Sequence, residues 1–173
     1  ISTLAEARFL NSEAMITVIG RGHSGTRAIS KTLSESGVFM GAQLNASDDL
    51  VPPEAMYEAC RIASKKIRHT GVLTWDWSGF FEGPVEPEFE NLVRRFLASV
   101  LEKPEPRRGW KLPETTLVYP WIARMFPETK FILWYRDPRD NILGGHLTDD
   151  LGNFGVPYSL AGIPSPYPSP EGE

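Results

Sequence analysis

The stretch Ile16-Thr-Val-Ile-Gly-Arg-Gly-His-Ser-Gly-Thr-Arg-Ala-Ile29 decides how this chain reads. Met15 to Ile19 is a run of apolar and β-branched residues suited to a buried strand. It stops at Gly20, a loop of small and basic residues follows, and a helix-like pattern starts near Thr26. A strand, a glycine-rich turn and a helix N-terminus in that order make an anion site. Glycine lets the backbone curl close to a ligand, and the first-turn N–H groups of a helix have no intrahelical partner. Arg21, His23 and Arg27 add side-chain donors, while Gly22, Ser24, Gly25 and Thr26 complete the cradle. The loop is predicted to hold phosphate or sulfate.

Gly20 and Gly25 have the G-x-x-x-x-G spacing of a P-loop, but Thr26-Arg27 stands where Lys-[Ser/Thr] is expected. That lysine reaches the terminal phosphates and the hydroxyl holds Mg²⁺. Without them, ordinary Mg²⁺-dependent transfer from ATP or GTP is disfavoured.

The chain has 173 residues, enough for one domain with a sizeable core. Its net charge of −4 argues against a general nucleic-acid surface, so any basic patch is local. Cys60, the single cysteine, sits at helical spacing among apolar neighbours and reads as a buried small hydrophobe. No stretch approaches the ~20 apolar residues of a membrane span, and residues 1 to 14 lack a signal-peptide pattern. A cytoplasmic location is expected. Asn45-Ala46-Ser47 matches a glycosylation sequon, which short polar triplets do by chance.

Further along, strands and helices alternate. Thr26 to Ser36 reads as a helix closed by Gly37, and Val38 to Met40 as a short strand. Pro52-Pro53 opens a helix with an apolar stripe through Ala55, Met56, Ala59, Cys60, Ala63 and Ile67, broken at Gly71. Residues 72 to 84 carry Trp75, Trp77, Phe80 and Phe81 in a loop or short strand, with core packing favoured over a binding groove. Glu86 to Lys103 has one apolar face and reads as one helix. Trp110 to Leu112 reads as a strand with a helix over Thr115 to Phe126 behind it. Phe131 to Tyr135 reads as a central buried strand that delivers Arg136 at its C-terminal end, followed by a helix over 138–147. From Thr148 onward glycine and proline are dense, and residues 148–173 read as a partly disordered or loosely packed segment after a nucleotide-binding domain over 1–147.

This alternation implies an α/β fold: a three-layer sandwich with a central, mostly parallel sheet and helices on both faces. Ligands in such sheets bind beyond the carboxyl ends of the strands, which puts Arg21 to Thr26 and Arg136 on one rim. Two basic clusters at one rim suit a ligand with two separate anionic groups.

At this point the chain resembles the sulfotransferases that use 3′-phosphoadenosine 5′-phosphosulfate (PAPS), which have a P-loop-like fold. Their modified P-loop cradles the 5′-phosphosulfate, and Arg21-Gly-His-Ser-Gly-Thr-Arg-Ala-Ile29 is similar, particularly to the version in carbohydrate sulfotransferases. Phe131-Ile-Leu-Trp-Tyr-Arg-Asp-Pro-Arg-Asp140 resembles the strand and Arg-[Asn/Asp]-Pro element that binds the 3′-phosphate. Trp110-Lys111-Leu112-Pro113 resembles the Lys-x-Pro element that brings a lysine toward the transferred sulfuryl group. The match spans roughly residues 15 to 147. It departs from the family in three ways: His23 stands where most members have lysine, Gly144 where a serine binds the 3′-phosphate, and no basic closing loop is found toward the C-terminus. The resemblance is therefore to a truncated or divergent member.

The resemblance implies sulfuryl transfer from PAPS to a hydroxyl or amine of a small-molecule or carbohydrate acceptor, with adenosine 3′,5′-bisphosphate as product and no metal. His23, Thr26, Lys111 and the loop amides would stabilise the developing charge, and Arg136 would anchor the 3′-phosphate near Gly144, supported by Ser24 and Arg27. Asp48, Asp49 and Glu54 occupy the region of the family's base. Glu54 is preferred because a helix start near the rim would turn it inward, although acidic residues suit first helical turns for dipole reasons alone. His146 either faces the site or caps a helix, and Asp149-Asp150 reads as a solvated turn. Two other readings stay open: a Mg²⁺-dependent P-loop nucleotide kinase, and a non-catalytic nucleotide- or anion-binding remnant of the fold.

Overall fold

The computed structural model describes residues 15–71, 74–103, 106–141 and 144–156. Strand β1 (Ile16–Ile19) lies at the centre of a three-stranded parallel sheet, between β4 (Gly109–Lys111) and β5 (Lys130–Leu133). Thr17 pairs with Trp110 on one side and Phe131 on the other, and Val18 with Lys111 and Ile132. Parallel neighbours need long crossovers, and the helices supply them. The first crossover contains α1 (Thr26–Glu35), α2 (Glu54–Ser64), α3 (Ser78–Glu82), α4 (Pro87–Phe96) and α5 (Ala98–Leu101). The second is α6 (Thr115–Met125), which takes the chain from β4 past β1 to β5. The fold is thus α/β, a parallel sheet flanked by helices. Strand order changes direction at β1, so the loop after β1 opens where such sheets form a crevice.

Burial of large aromatic and aliphatic side chains holds the helices together. Trp121 of α6 is fully buried, stacked on Phe80 (centroids 5.0 Å) and edge-on to Phe89 (4.8 Å), and its indole N–H donates to the Phe80 carbonyl at 2.7 Å. Trp110 is equally buried and donates to Thr115 Oγ1 at 3.1 Å. Each such side chain contributes roughly 1.5–3 kcal/mol through the area removed from water. Cys60 packs in the same core as expected, and burial pushes its thiol up.

Several elements differ from the sequence reading. Val38 to Met40 forms no strand; Phe39 makes one isolated parallel bridge to Arg108. The helix expected to run to Gly71 ends at Ser64, and Arg68–Gly71 turns back as β2 against β3 (Thr74–Asp76) in an antiparallel hairpin. The apolar stripe reaches Ile67, which stays buried without remaining helical. The helix over 86–103 breaks at Leu97 into α4 and α5.

Phe131 to Tyr135 is not a central strand. Among the described residues β5 lies at the sheet edge, with Leu133 64% and Tyr135 80% exposed. Of the helix expected over 138–147, α7 covers Pro138–Asn141, and residues 144–146 are not helical. Loose packing from 148 onward is not met over residues 148–156. Two 3-10 helices (Leu147–Asp149 and Leu151–Phe154) form, Phe154 and Val156 are buried in the core, and the Ser64 hydroxyl donates to the Phe154 carbonyl. The expectations for residues 1–14 and 157–173 lie outside the described residues. Among the described residues no helix is long and apolar enough to cross a membrane.

Candidate functional site

The loop from Gly20 to Gly25 is fixed from three directions. Thr116 of α6 grips its start, since Oγ1 accepts from the Gly20 N–H at 2.8 Å and donates to the Gly20 carbonyl at 3.0 Å. Trp134, just after β5, grips its end with an indole N–H 3.0 Å from the Ser24 carbonyl. The loop also closes on itself, with Ser24 donating from its hydroxyl (2.7 Å) and backbone N–H (3.3 Å) to the Arg21 carbonyl. A Cβ on Gly20 would collide with the Trp134 carbonyl, so strand and loop approach only as glycine allows.

Gly25 caps α1 at φ 103° with no side chain to accept from the helix, and no acidic residue sits in the first turn. That leaves a helix N-terminus whose partial positive charge faces the loop. His23 is held at φ 63°, a left-handed conformation that costs a non-glycine residue about 1–2 kcal/mol. Such strain persists only where the surrounding structure over-determines it.

Two cavities flank this loop. The one on the β5 side, about 520 Å³, is lined by Gly20, Arg21 and Ser24 of the loop, by Thr116, and by Leu133 to Arg136. The one on the β4 side, about 290 Å³, is lined by Gly22, His23, Gly25, Thr26 and Arg27, with Ser47, Asp49, Lys111, Pro113 and His146. Lys111 and the Leu133–Arg136 segment therefore meet on either side of one loop.

Their charges are already matched. Lys111, delivered by the buried strand β4, donates to Asp49 Oδ1 at 2.6 Å and to the Ser47 carbonyl at 2.8 Å. A turn built on Asn45 presents those acceptors. Asn45 Oδ1 accepts from the Ser47 and Asp49 N–H groups, and the Leu50 N–H donates to the Lys111 carbonyl at 2.9 Å. Arg21 forks onto Asp149 (2.5 and 2.6 Å) and also donates to the Gly144 carbonyl. The guanidinium hydrogen bond holds the Asp149 carboxyl below the usual carboxylate range. Arg136 pairs with Asp140 at 3.1 Å, one turn further on. Arg27 reaches the Ala46 carbonyl at 3.4 Å.

Behind Lys111, Glu114 is buried and its Oε2 has no hydrogen-bond partner; burial pushes this carboxyl up. Nearby Tyr57 is pushed up to about 12 by burial, reinforced by Glu114 and Asp49.

Of the residues singled out from sequence, Gly22, His23, Gly25, Thr26, Arg27 and Lys111 line the smaller cavity, and Arg21, Ser24 and Arg136 the larger. Glu54 opens α2 as an exposed side chain and lines neither, whereas Asp49, weighed behind it, lines the smaller one. Gly144 is exposed and enters only through its carbonyl. Asp149 is exposed, as a solvated residue would be, and also pairs with Arg21. In the sequence Trp134 and Thr116 read only as strand and helix residues, because nothing in a linear pattern shows that their polar atoms return to the loop. Among the described residues no cluster of three or more His, Cys, Asp or Glu gathers as a metal site. No family model, curated protein or solved structure matches this chain.

Proposed function

We propose that the chain binds PAPS and transfers its sulfuryl group to a hydroxyl or amine of an acceptor, on a sulfotransferase-like, P-loop-like fold. The observation that carries this reading is the convergence of loop 20–25, Lys111 and the Trp134–Arg136 segment at one sheet edge, with a cation-lined cavity on each side of the loop. A ligand with two separate anionic groups suits that arrangement better than a single phosphate does.

The residues present fit such a ligand. The N-cap of α1 offers backbone donors without a competing side-chain acceptor. Arg21 and Arg136 stand beside Trp134 and Tyr135, a donor set suited to a phosphate next to a flat ring. When bound, PAPS supplies an activated sulfuryl group on a phosphate leaving group. The loop amides, Thr26, His23 and Lys111 hold negative charge in the smaller cavity. Arg136 holds the 3′-phosphate in the larger one. Asp49 replaces Glu54 as the base that takes the acceptor proton, because it is the carboxylate lining the smaller cavity.

The test is calorimetric titration with adenosine 3′,5′-bisphosphate, repeated with AMP and with ATP, each with and without Mg²⁺. Metal-independent binding that is lost with the 3′-phosphate is the expected result. Preference for ATP with Mg²⁺ would favour the kinase reading instead. Binding without sulfuryl turnover would leave a non-catalytic remnant.

A further inference from the structure

We propose that His146 is a further ligand-contacting residue of this site, presenting an Nε2–H donor to the anion held by loop 20–25. The inference rests on the reading of that loop as the anion cradle of a sulfonucleotide site. It starts from a steric fact: the Cδ2–Nε2 edge of the His146 ring packs so closely on Gly22 that a Cβ at residue 22 would fall on the ring. Gly22 is buried, and both residues line the smaller cavity with His23, Thr26 and Lys111. Glycine at 22 is thus explained by the ring above it.

Hydrogen bonding fixes which nitrogen carries the proton. The Thr148 backbone N–H donates to His146 Nδ1 at 3.2 Å, and Thr148 Oγ1 lies 2.9 Å from the same atom. A ring nitrogen that accepts has no proton of its own, so the neutral ring is protonated at Nε2, the edge facing the loop. The ring is also held from behind. The His146 backbone N–H donates to Asp149 Oδ2 at 2.8 Å, and Arg21 holds the same carboxylate. Arg21, Asp149 and Thr148 together position the imidazole.

The groups facing His146 set its charge. His23 meets it edge-on at 5.4 Å between ring centroids, Arg21 adds a positive charge, and Asp149 and Asp49 oppose them. Burial, then His23, holds the ring below its ordinary value, so near neutral pH it is an uncharged donor. An anion at the loop favours the charged ring, whose second proton sits on Nδ1 and is accepted by Thr148 Oγ1, 2.9 Å away, at the expense of the backbone N–H bond. Binding therefore takes up a proton, and affinity rises as pH falls through the window between the bound and free values.

The experiment titrates wild type, His146→Phe, His146→Gln, His146→Ala, Gly22→Ala and the double variant G22A/H146A. The probes are adenosine 3′,5′-bisphosphate and, separately, inorganic sulfate, at pH 6.5 in two buffers of different ionisation enthalpy. His146→Phe keeps the packing without the donor and should bind about 3–10-fold more weakly, with reduced proton uptake. His146→Gln should recover part of the affinity without the uptake. Gly22→Ala should weaken binding by displacing the ring, yet cost little further on top of His146→Ala. Thermal melts show that each variant is folded. His146→Phe within about twofold of wild type, with unchanged proton uptake, would overturn the inference and leave the sulfonucleotide reading intact. Sulfate binding that weakens in His146→Phe, from a wild type that ignores the bisphosphate, would keep the inference and sink that reading. Binding of neither probe by wild type would overturn both.

Discussion

Lys111 and Asp49 form an ion pair at 2.6 Å whose side chains are 4% and 13% exposed, at the wall of the smaller cavity. The pair lets a lysine sit at the end of a buried strand, and it means that an anion entering the cavity competes with Asp49 for the ammonium. Removing one partner strands the other charge in a poorly solvated place.

Lys111→Met should therefore lower stability by about 3 kcal/mol and abolish the proposed sulfuryl transfer. Adding Asp49→Asn should restore much of the stability and none of the activity. Urea unfolding of the single and double variants checks this. Equal stability of Lys111→Met and wild type would mean that the pair is solvated and contributes little.

His23 sets stability against the proposed binding. Its φ of 63° suits glycine, so His23→Gly should raise unfolding stability by roughly 0.5–1 kcal/mol, net of the greater freedom glycine gives the unfolded chain. The same change removes a donor from the cavity and should weaken adenosine 3′,5′-bisphosphate binding. A loss of stability would show that the ring contact with His146 outweighs the backbone strain.

Glu114 makes stability depend on pH. Burial raises its carboxyl in the folded state, so between its unfolded and folded values the native protein holds a proton that the unfolded chain has lost. The contribution is fully present below the unfolded value, about 4.3, and is lost as pH rises through the folded value. Glu114→Gln, which cannot ionise, should flatten this decline, gaining on wild type at pH 8 and not at pH 4. Parallel pH profiles would place the ionised carboxylate in a solvated or paired environment.

How far the sequence goes is visible in particular residues. The turn from β1 into α1 was legible because its glycines and its change of hydrophobic period are local. The meeting of Lys111, Arg136 and the loop was legible because parallel strands carry their C-terminal ends to one rim. The edge position of β5 was not: an apolar run of five residues reads the same wherever it stands in a sheet. The hairpin over 68–76 was hidden because Ile67 continues the helical stripe of α2 and is buried in either conformation. The carboxylates that neutralise the site were hidden for another reason. Asp149 and Asp49 are ordinary polar turn residues until the chain returns them to Arg21 and Lys111.

Trp134 offers the sharpest separation of loop order from charge. Its indole N–H holds the Ser24 carbonyl at 3.0 Å, and its own carbonyl stands where a Cβ on Gly20 would fall, so one residue grips both ends of the loop. Trp134→Phe keeps the backbone contact and most of the ring while deleting the hydrogen bond. A neutral hydrogen bond of this kind contributes about 0.5–1.5 kcal/mol, and the residue is 38% exposed, so global stability should fall by no more than that. Loop order should fall further, because Ser24 and Gly25 position the N-terminus of α1. The expected outcome is faster amide hydrogen exchange confined to residues 20–27 and weaker bisphosphate binding, with the salt dependence of binding unchanged because no charge is removed. A change in salt dependence with unaltered exchange would show that the ring acts on the ligand directly and not through the loop.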